Sequence, residues 1–160
     1  MSRTEATQPG RAVADEAMRA FLAALEDVEA TAPTWCRGWS AHEVASHVAA
    51  AAQERANLIE ERLAGRPGRS TRSWEEREPL SRAMPDQDLR SRLVDEVLRF
   101  EHAVSALGDT RSVDYTGWTM TGKRLRTHSH SEAALHRWDL FGDDPTSRRL
   151  LSQPTLTARA

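Results

Sequence analysis

"PDQDLRSRLVDEVLRFEHAVSALG", residues 85–108, carries apolar side chains at Leu89, Leu93, Val97, Phe100, Val104 and Leu107. Steps of three and four residues line these up on one side of an α-helix, whereas a half-buried strand would alternate. Pro85-Asp86 gives a start and Gly108 a stop, so the spacing predicts a helix of about twenty residues with a single apolar stripe. Such a stripe has to be covered, and the rest of the chain supplies partners of the same kind.

Downstream, "DTRSVDYTGWTMTG" (109–122) mixes its alternation and reads as a loop or a short extended piece. A helix then runs from about Lys123 to Phe141 and is ended by Gly142-Asp143-Asp144-Pro145. Upstream, Ser40-Ala41-His42-Glu43 is a capping box, in which the serine hydroxyl accepts the backbone N–H three residues on and the glutamate reaches back. The helix it opens should reach Leu63, with Gly65 as its stop. Its stripe is Val44, Val48, Ala51 and Leu58, and His47 lies on the same face. Earlier still, Ala14, Met18, Phe21, Leu22, Leu25 and Val28 have helical spacing, interrupted by "TAPTWCRGW" (31–39).

Between the second and third helices, "GRPGRSTRSWEEREPL" (65–80) reads as a long arginine-rich connection. Strand signals are nearly absent. The expected architecture is therefore all-α: a four-helix bundle with long connecting loops over residues 12–145. A disordered N-terminus over 1–11 precedes it, and a short tail over 146–160, with room for one more helical stretch, follows it.

At 160 residues the chain suits one domain with a real core, and its net charge of −2 argues against a dedicated nucleic-acid binder. Lys123 is the single lysine beside many arginines and alanines, a bias that points to a high-G+C bacterial genome. Cys36 is the single cysteine, so neither an internal disulfide nor a cysteine-rich metal site can form. With no signal-peptide pattern and no run of eighteen apolar residues, a cytoplasmic protein without a membrane partner is expected.

"HSHSEAALHRWDL" (128–140) puts three histidines and a glutamate within nine positions, in a chain with six histidines. Glu132 and His136 are four apart, one turn above each other on a helix, so both could reach one ion. His128 extends the line and His130 points elsewhere. A catalytic zinc site takes three protein ligands and keeps one position open. His47, inward-facing on the second helix, is the candidate for the third. Spacing alone leaves the bland alternative standing: an exposed Glu132 and His136, and a hydrogen-bonded core histidine at 47.

"GWSAHEVASHVAAAAQE" (38–54) followed by "SEAALHRWDL" (131–140) resembles the metal-binding N-terminal domain of mycothiol-dependent maleylpyruvate isomerases, within the DinB-like superfamily. The resemblance covers roughly residues 12–141 and implies a DinB-like bundle. It places the divalent metal, usually zinc, on His47, Glu132 and His136. It also implies mycothiol as co-substrate, used by an S-transferase or isomerase on a small electrophile. The metal would favour the thiolate, the nucleophilic form. Family isomerases usually continue into a second, C-terminal domain; this sequence runs only to "LSQPTLTARA", which implies a stand-alone or shortened variant.

Asp139, three residues beyond His136, is a candidate to orient that histidine, or else a partner for an arginine. Arg124 and Arg126 are candidates for holding a substrate carboxylate, with solvated arginines as the alternative. Cys36 lacks a recognisable partner for nucleophilic catalysis. Trp35, Trp39, Trp118 and Trp138 read as core or pocket walls. Two rival functions stay open: a hydrolase with a metal-activated water, and a non-catalytic protein binding a metal or small ligand. A homodimer is left open as well.

Overall fold

A computed structural model describes residues 9–154, with residues 9–15 described by backbone alone. The chain forms α1 (Pro9–Glu26), α2 (Ala41–Leu63), α3 (Trp74–Arg77), α4 (Pro79–Arg82), α5 (Asp86–Leu107), β1 (Ser112–Tyr115), β2 (Trp118–Thr121), α6 (Gly122–Phe141) and α7 (Pro145–Leu151). The four long helices make the expected all-α bundle, α2 packing chiefly on α5 and α1 on α6. Of the disorder expected over residues 1–11, residues 1–8 lie outside the described residues, while residues 9–11 are helical rather than disordered. Pro9 is already helical, a position where proline's missing N–H costs nothing.

Local chemistry set the long helices' ends. Ser40 caps α2 with Glu43 in a reciprocal box, Oγ accepting the Glu43 N–H at 3.3 Å and Glu43 Oε2 accepting the Ser40 N–H at 2.8 Å. Gly108 ends α5 with φ +80°, and Gly142 ends α6 with φ +68°, conformations that strain other residues. Gly122, the first residue of α6, has no room for a side chain, since a Cβ there would overlap the Gly108 carbonyl.

Two segments differ from the sequence reading. Residues 112–121 form an antiparallel hairpin, Val113 opposite Met120 and Tyr115 opposite Trp118, around a Thr116-Gly117 turn with φ of 50° and 80°. Its strands have four residues each, too few for alternation to stand out, yet Val113, Tyr115 and Met120 turn inward. The arginine-rich connection contains α3 and α4. Glu76 reaches back to the Ser73 N–H at 2.7 Å, the same serine–glutamate signature that opens α2.

α2 and α5 run parallel, which accounts for the length of the connection. His42 bonds Asp86 where both helices begin, and Arg99 bonds Glu60 near the far end. The chain must return the full length of α2 before α5 can start. α6 runs the opposite way: Leu125 at its start belongs to the same apolar cluster as Ile59 and Phe100, and Ala133 further on to that of Val44 and Leu89. The apolar interior falls into two clusters. Phe21, Val48, Leu93 and Leu150 belong to one; Ile59, Phe100, Leu107 and Tyr115 belong to the other. Between them two of the long helices turn polar inside, α2 at Arg55 and α6 at Ser129 and His130, all three fully buried.

Candidate metal centre

Because α2 and α6 are antiparallel, the early part of one lies level with the late part of the other. His47 and His136 meet there, with ring centroids 5.1 Å apart. Trp39 stands edge-on to His47 at 5.4 Å and Phe21 lies 6.5 Å from His136, giving the pair aromatic walls.

Each imidazole is held through Nδ1 by a carboxylate. His47 Nδ1 lies 2.5 Å from Glu78 Oε1, and His136 Nδ1 lies 2.9 Å from Asp139 Oδ2. A carboxylate can only accept, so both Nδ1 atoms donate, and in the neutral rings Nε2 carries the lone pair. Neither Nε2 makes a hydrogen bond among the described residues. Burial pushes His47 below its ordinary value, and His136 pushes the same way, against the Glu78 hydrogen bond. The neutral form, the one that binds metals, is thus favoured.

Glu78 is itself buried and anchored. Arg82 donates to its Oε2 at 3.0 Å, also donates to Glu43 at 2.7 Å, and lies 4.8 Å over the Trp39 ring. Glu78 and Arg82 together tie α4 to the first turns of α2, one through His47 and the other through Glu43. Glu78 sits in the segment read from sequence as a long arginine-rich connection. Its only signals were Pro79, suited to open a helix, and Arg82 four residues on.

Glu132 stands one turn before His136, but its carboxylate is engaged elsewhere. Oε2 accepts from Arg55 Nη1 at 2.7 Å, and Oε1 faces His128 Nε2 at 3.4 Å. Burial opposes its ionisation, yet Arg55 and His128 outweigh that and hold the carboxyl well below the usual carboxylate range. The structure therefore brings two of the three expected ligands together and turns the third toward Arg55. Among the described residues, no three His, Cys, Asp or Glu side chains are gathered to hold an ion.

The donor set nevertheless suits a divalent cation. Two imidazoles on one tetrahedral ion at about 2.0–2.1 Å would have centroids about 5 Å apart, close to the spacing found here. Metal-ligating histidines almost always donate their other ring N–H to a carboxylate, a backbone carbonyl or water, and here both do so to carboxylates.

The remaining candidates fall elsewhere. Arg126 pairs with Asp109 at 3.2 Å and Glu101 at 3.7 Å, ten residues and about 15 Å along α6 from His136. Arg124 lies further off still, its backbone N–H capped by Thr121 Oγ1 at 3.3 Å. Neither stands beside the histidine pair. The cationic group next to Glu132 is Arg55, which no motif or spacing singles out in the sequence. His130 is buried and pairs with Glu101 at 3.0 Å, away from Glu132. Burial, with Asp139 and Glu43, pushes the Cys36 thiol up, which disfavours its thiolate. Trp35 and Trp118 are about two-thirds exposed, at 65% and 66%, so neither is a core residue; Trp35 instead packs against Trp138 at 5.7 Å. A cleft lined by Leu58, Arg62, Arg66 and Val113 lies at the other end of α2, about 20 Å along the helix from His47.

The sequence profile of the mycothiol maleylpyruvate isomerase N-terminal domain matches residues 11–141. Among solved structures, the mycothiol-dependent maleylpyruvate isomerase superposes with a TM-score of 0.73 at 19% identity, and a histidine-to-alanine mutant of it with 0.74 at 18%. Each alignment covers 94% of this chain and 69% of the other. At that identity the likeness establishes the fold, the DinB-like bundle of these isomerases. Among curated proteins, none matches the chain.

Proposed function

Because the chain belongs to the mycothiol maleylpyruvate isomerase N-terminal domain family, we propose that it is a metal-dependent enzyme of small-thiol chemistry. Its reaction is S-transfer to, or isomerisation of, a small electrophile. His47, His136 and Glu132 hold a divalent cation, zinc by the chemistry of two imidazoles and a carboxylate. The single observation that carries this reading is the facing pair of imidazoles, each with its Nδ1 proton held by a carboxylate.

When bound, the cation would supply the Lewis acidity that favours the thiolate form of a thiol. The chain's own residues do the rest. Glu78 and Asp139 keep both protons on Nδ1 and aim both rings, so that Nε2 is the donor in each case. Trp39 and Phe21 keep the rings in an apolar setting. The thiolate sulfur adds to one carbon of a conjugated double bond, the π pair moving onto the conjugated carbonyl as an enolate. An isomerase then allows rotation about the resulting single bond and expels the thiolate as the enolate pair re-forms the double bond. A transferase instead retains the adduct once the enolate carbon takes a proton from solvent.

Metal analysis of untagged protein tests the site: about one ion per chain is expected, and His47→Ala should largely abolish it. Full metal content in that variant would remove His47 from the ligand set. Mycothiol added to the cobalt-substituted protein is expected to alter the visible spectrum through a sulfur–metal bond. An unchanged spectrum would leave the metal and reject the thiol, favouring a hydrolase or a sensor.

A further inference from the structure

Arg55 is the largest of the fully buried side chains described, yet it belongs to no ligand set and to no catalytic step above. Nη1 donates to Glu132 Oε2 at 2.7 Å and to the Tyr115 hydroxyl at 3.3 Å, and Nη2 donates to Ser129 Oγ at 3.3 Å. The Phe100 and Tyr115 rings lie 5.2 and 5.6 Å from its guanidinium carbon. Nε makes no hydrogen bond among the described residues. Of these partners, Glu132 alone carries a full negative charge.

Core stability does not call for such a residue. A guanidinium cannot shed its proton, and a buried ion pair often stabilises no more than well-packed apolar side chains of similar volume. What the arginine does provide is a one-sided grip on Glu132. Oε2 is held firmly, while among the described residues Oε1 has only the 3.4 Å contact to His128. Arg55 also lies two turns after His47 on α2. One helix therefore carries both a histidine of the facing pair and the group that orients the carboxylate opposite.

We propose that Arg55 is a positioning residue for the cation site, holding Glu132 by Oε2 so that Oε1 is the single oxygen offered to the ion, with His128 as the contact given up. This rests on the metal reading of His47, His136 and Glu132.

The test uses the untagged full chain and three variants: Arg55→Lys, Ser129→Ala and Glu132→Gln. Zinc affinity is measured by competition with a chromophoric chelator, coordination by the visible spectrum of the cobalt form, and folding by circular dichroism. Arg55→Lys keeps the charge but loses the fork. It is expected to bind zinc about 10–100-fold more weakly, with a cobalt spectrum that moves onto that of Glu132→Gln. Ser129→Ala removes one anchor of the guanidinium and is expected to weaken zinc about three-fold or more, which keeps the inference falsifiable if Arg55→Lys does not fold. A purely structural Arg55 would lower the unfolding temperature while leaving the cobalt spectrum of the folded protein unchanged. Wild-type affinity and spectrum in a folded Arg55→Lys, or unchanged affinity in Ser129→Ala, overturns the positioning role alone. A wild-type chain that takes up no ion overturns the metal reading and this inference together.

Discussion

His42 and His130 also meet carboxylates, but of the described histidines only His47 and His136 combine a carboxylate on Nδ1 with rings that face each other at 5.1 Å. Asp139 meets His136 from one turn away on the same helix, and its carboxylate holds no other side chain among the described residues. Asp139→Ala should therefore leave helical content unchanged while weakening zinc about 10–100-fold, read by chelator competition. Equal affinity in the two proteins would mean that His136 is oriented by its packing alone. Glu78 is less separable, because it also receives Arg82 and is buried. Its loss would disturb the segment around α4 as well as His47.

At the scale of elements, α7 shows how a short helix is fastened. Asp144 caps it, accepting the Ser147 N–H at 2.7 Å, and takes both Arg137 Nη groups at 2.6 and 2.7 Å. Those hydrogen bonds, led by Arg137, hold the Asp144 carboxyl below its ordinary value of 3.8. A carboxyl depressed in the folded state contributes stability that is fully present above its unfolded value and is lost as pH falls through the folded one. Acid titration of unfolding should thus show a loss below about pH 4 that is absent in Asp144→Ala. At neutral pH that variant should be less stable by about 2–3 kcal/mol, from the lost cap and the stranded, mostly buried Arg137. The joint between α5 and α6 is sensitive for a steric reason. Gly122→Ala must push the start of α6 off the Gly108 carbonyl, and a loss of about 1–3 kcal/mol in denaturant unfolding is expected.

The whole molecule is two apolar clusters with a polar level between them. Phe100 sits in the cluster at the hairpin end and faces Arg55, so Phe100→Ala should cost about 3–5 kcal/mol and loosen that level as well. A cation bound only by the folded state stabilises the whole bundle. Zinc at a hundred times its dissociation constant should add about 2.7 kcal/mol. For a chain of this size that is a rise of about 5–10 °C in unfolding temperature, reversed by a chelator and absent in His47→Ala.

The start of α2 and the ends of α5 and α6 were legible in the residues themselves, because caps and stops act over one turn: Ser40 with Glu43, Gly108 and Gly142. The inward face that carries His47 was legible for the same reason, helical periodicity being local, whereas the helix of His136 offered no apolar stripe to orient it. The hairpin and the two short helices were too brief to leave a periodic trace. What each charged side chain would grip was decided by tertiary structure alone. Glu78 comes to His47 across 31 positions, and Glu132 comes to Arg55 across 77. A carboxylate beside a histidine one turn away looks the same in sequence whether it turns toward that histidine or toward an arginine buried in the facing helix, and only the packing of α2 against α6 makes that choice.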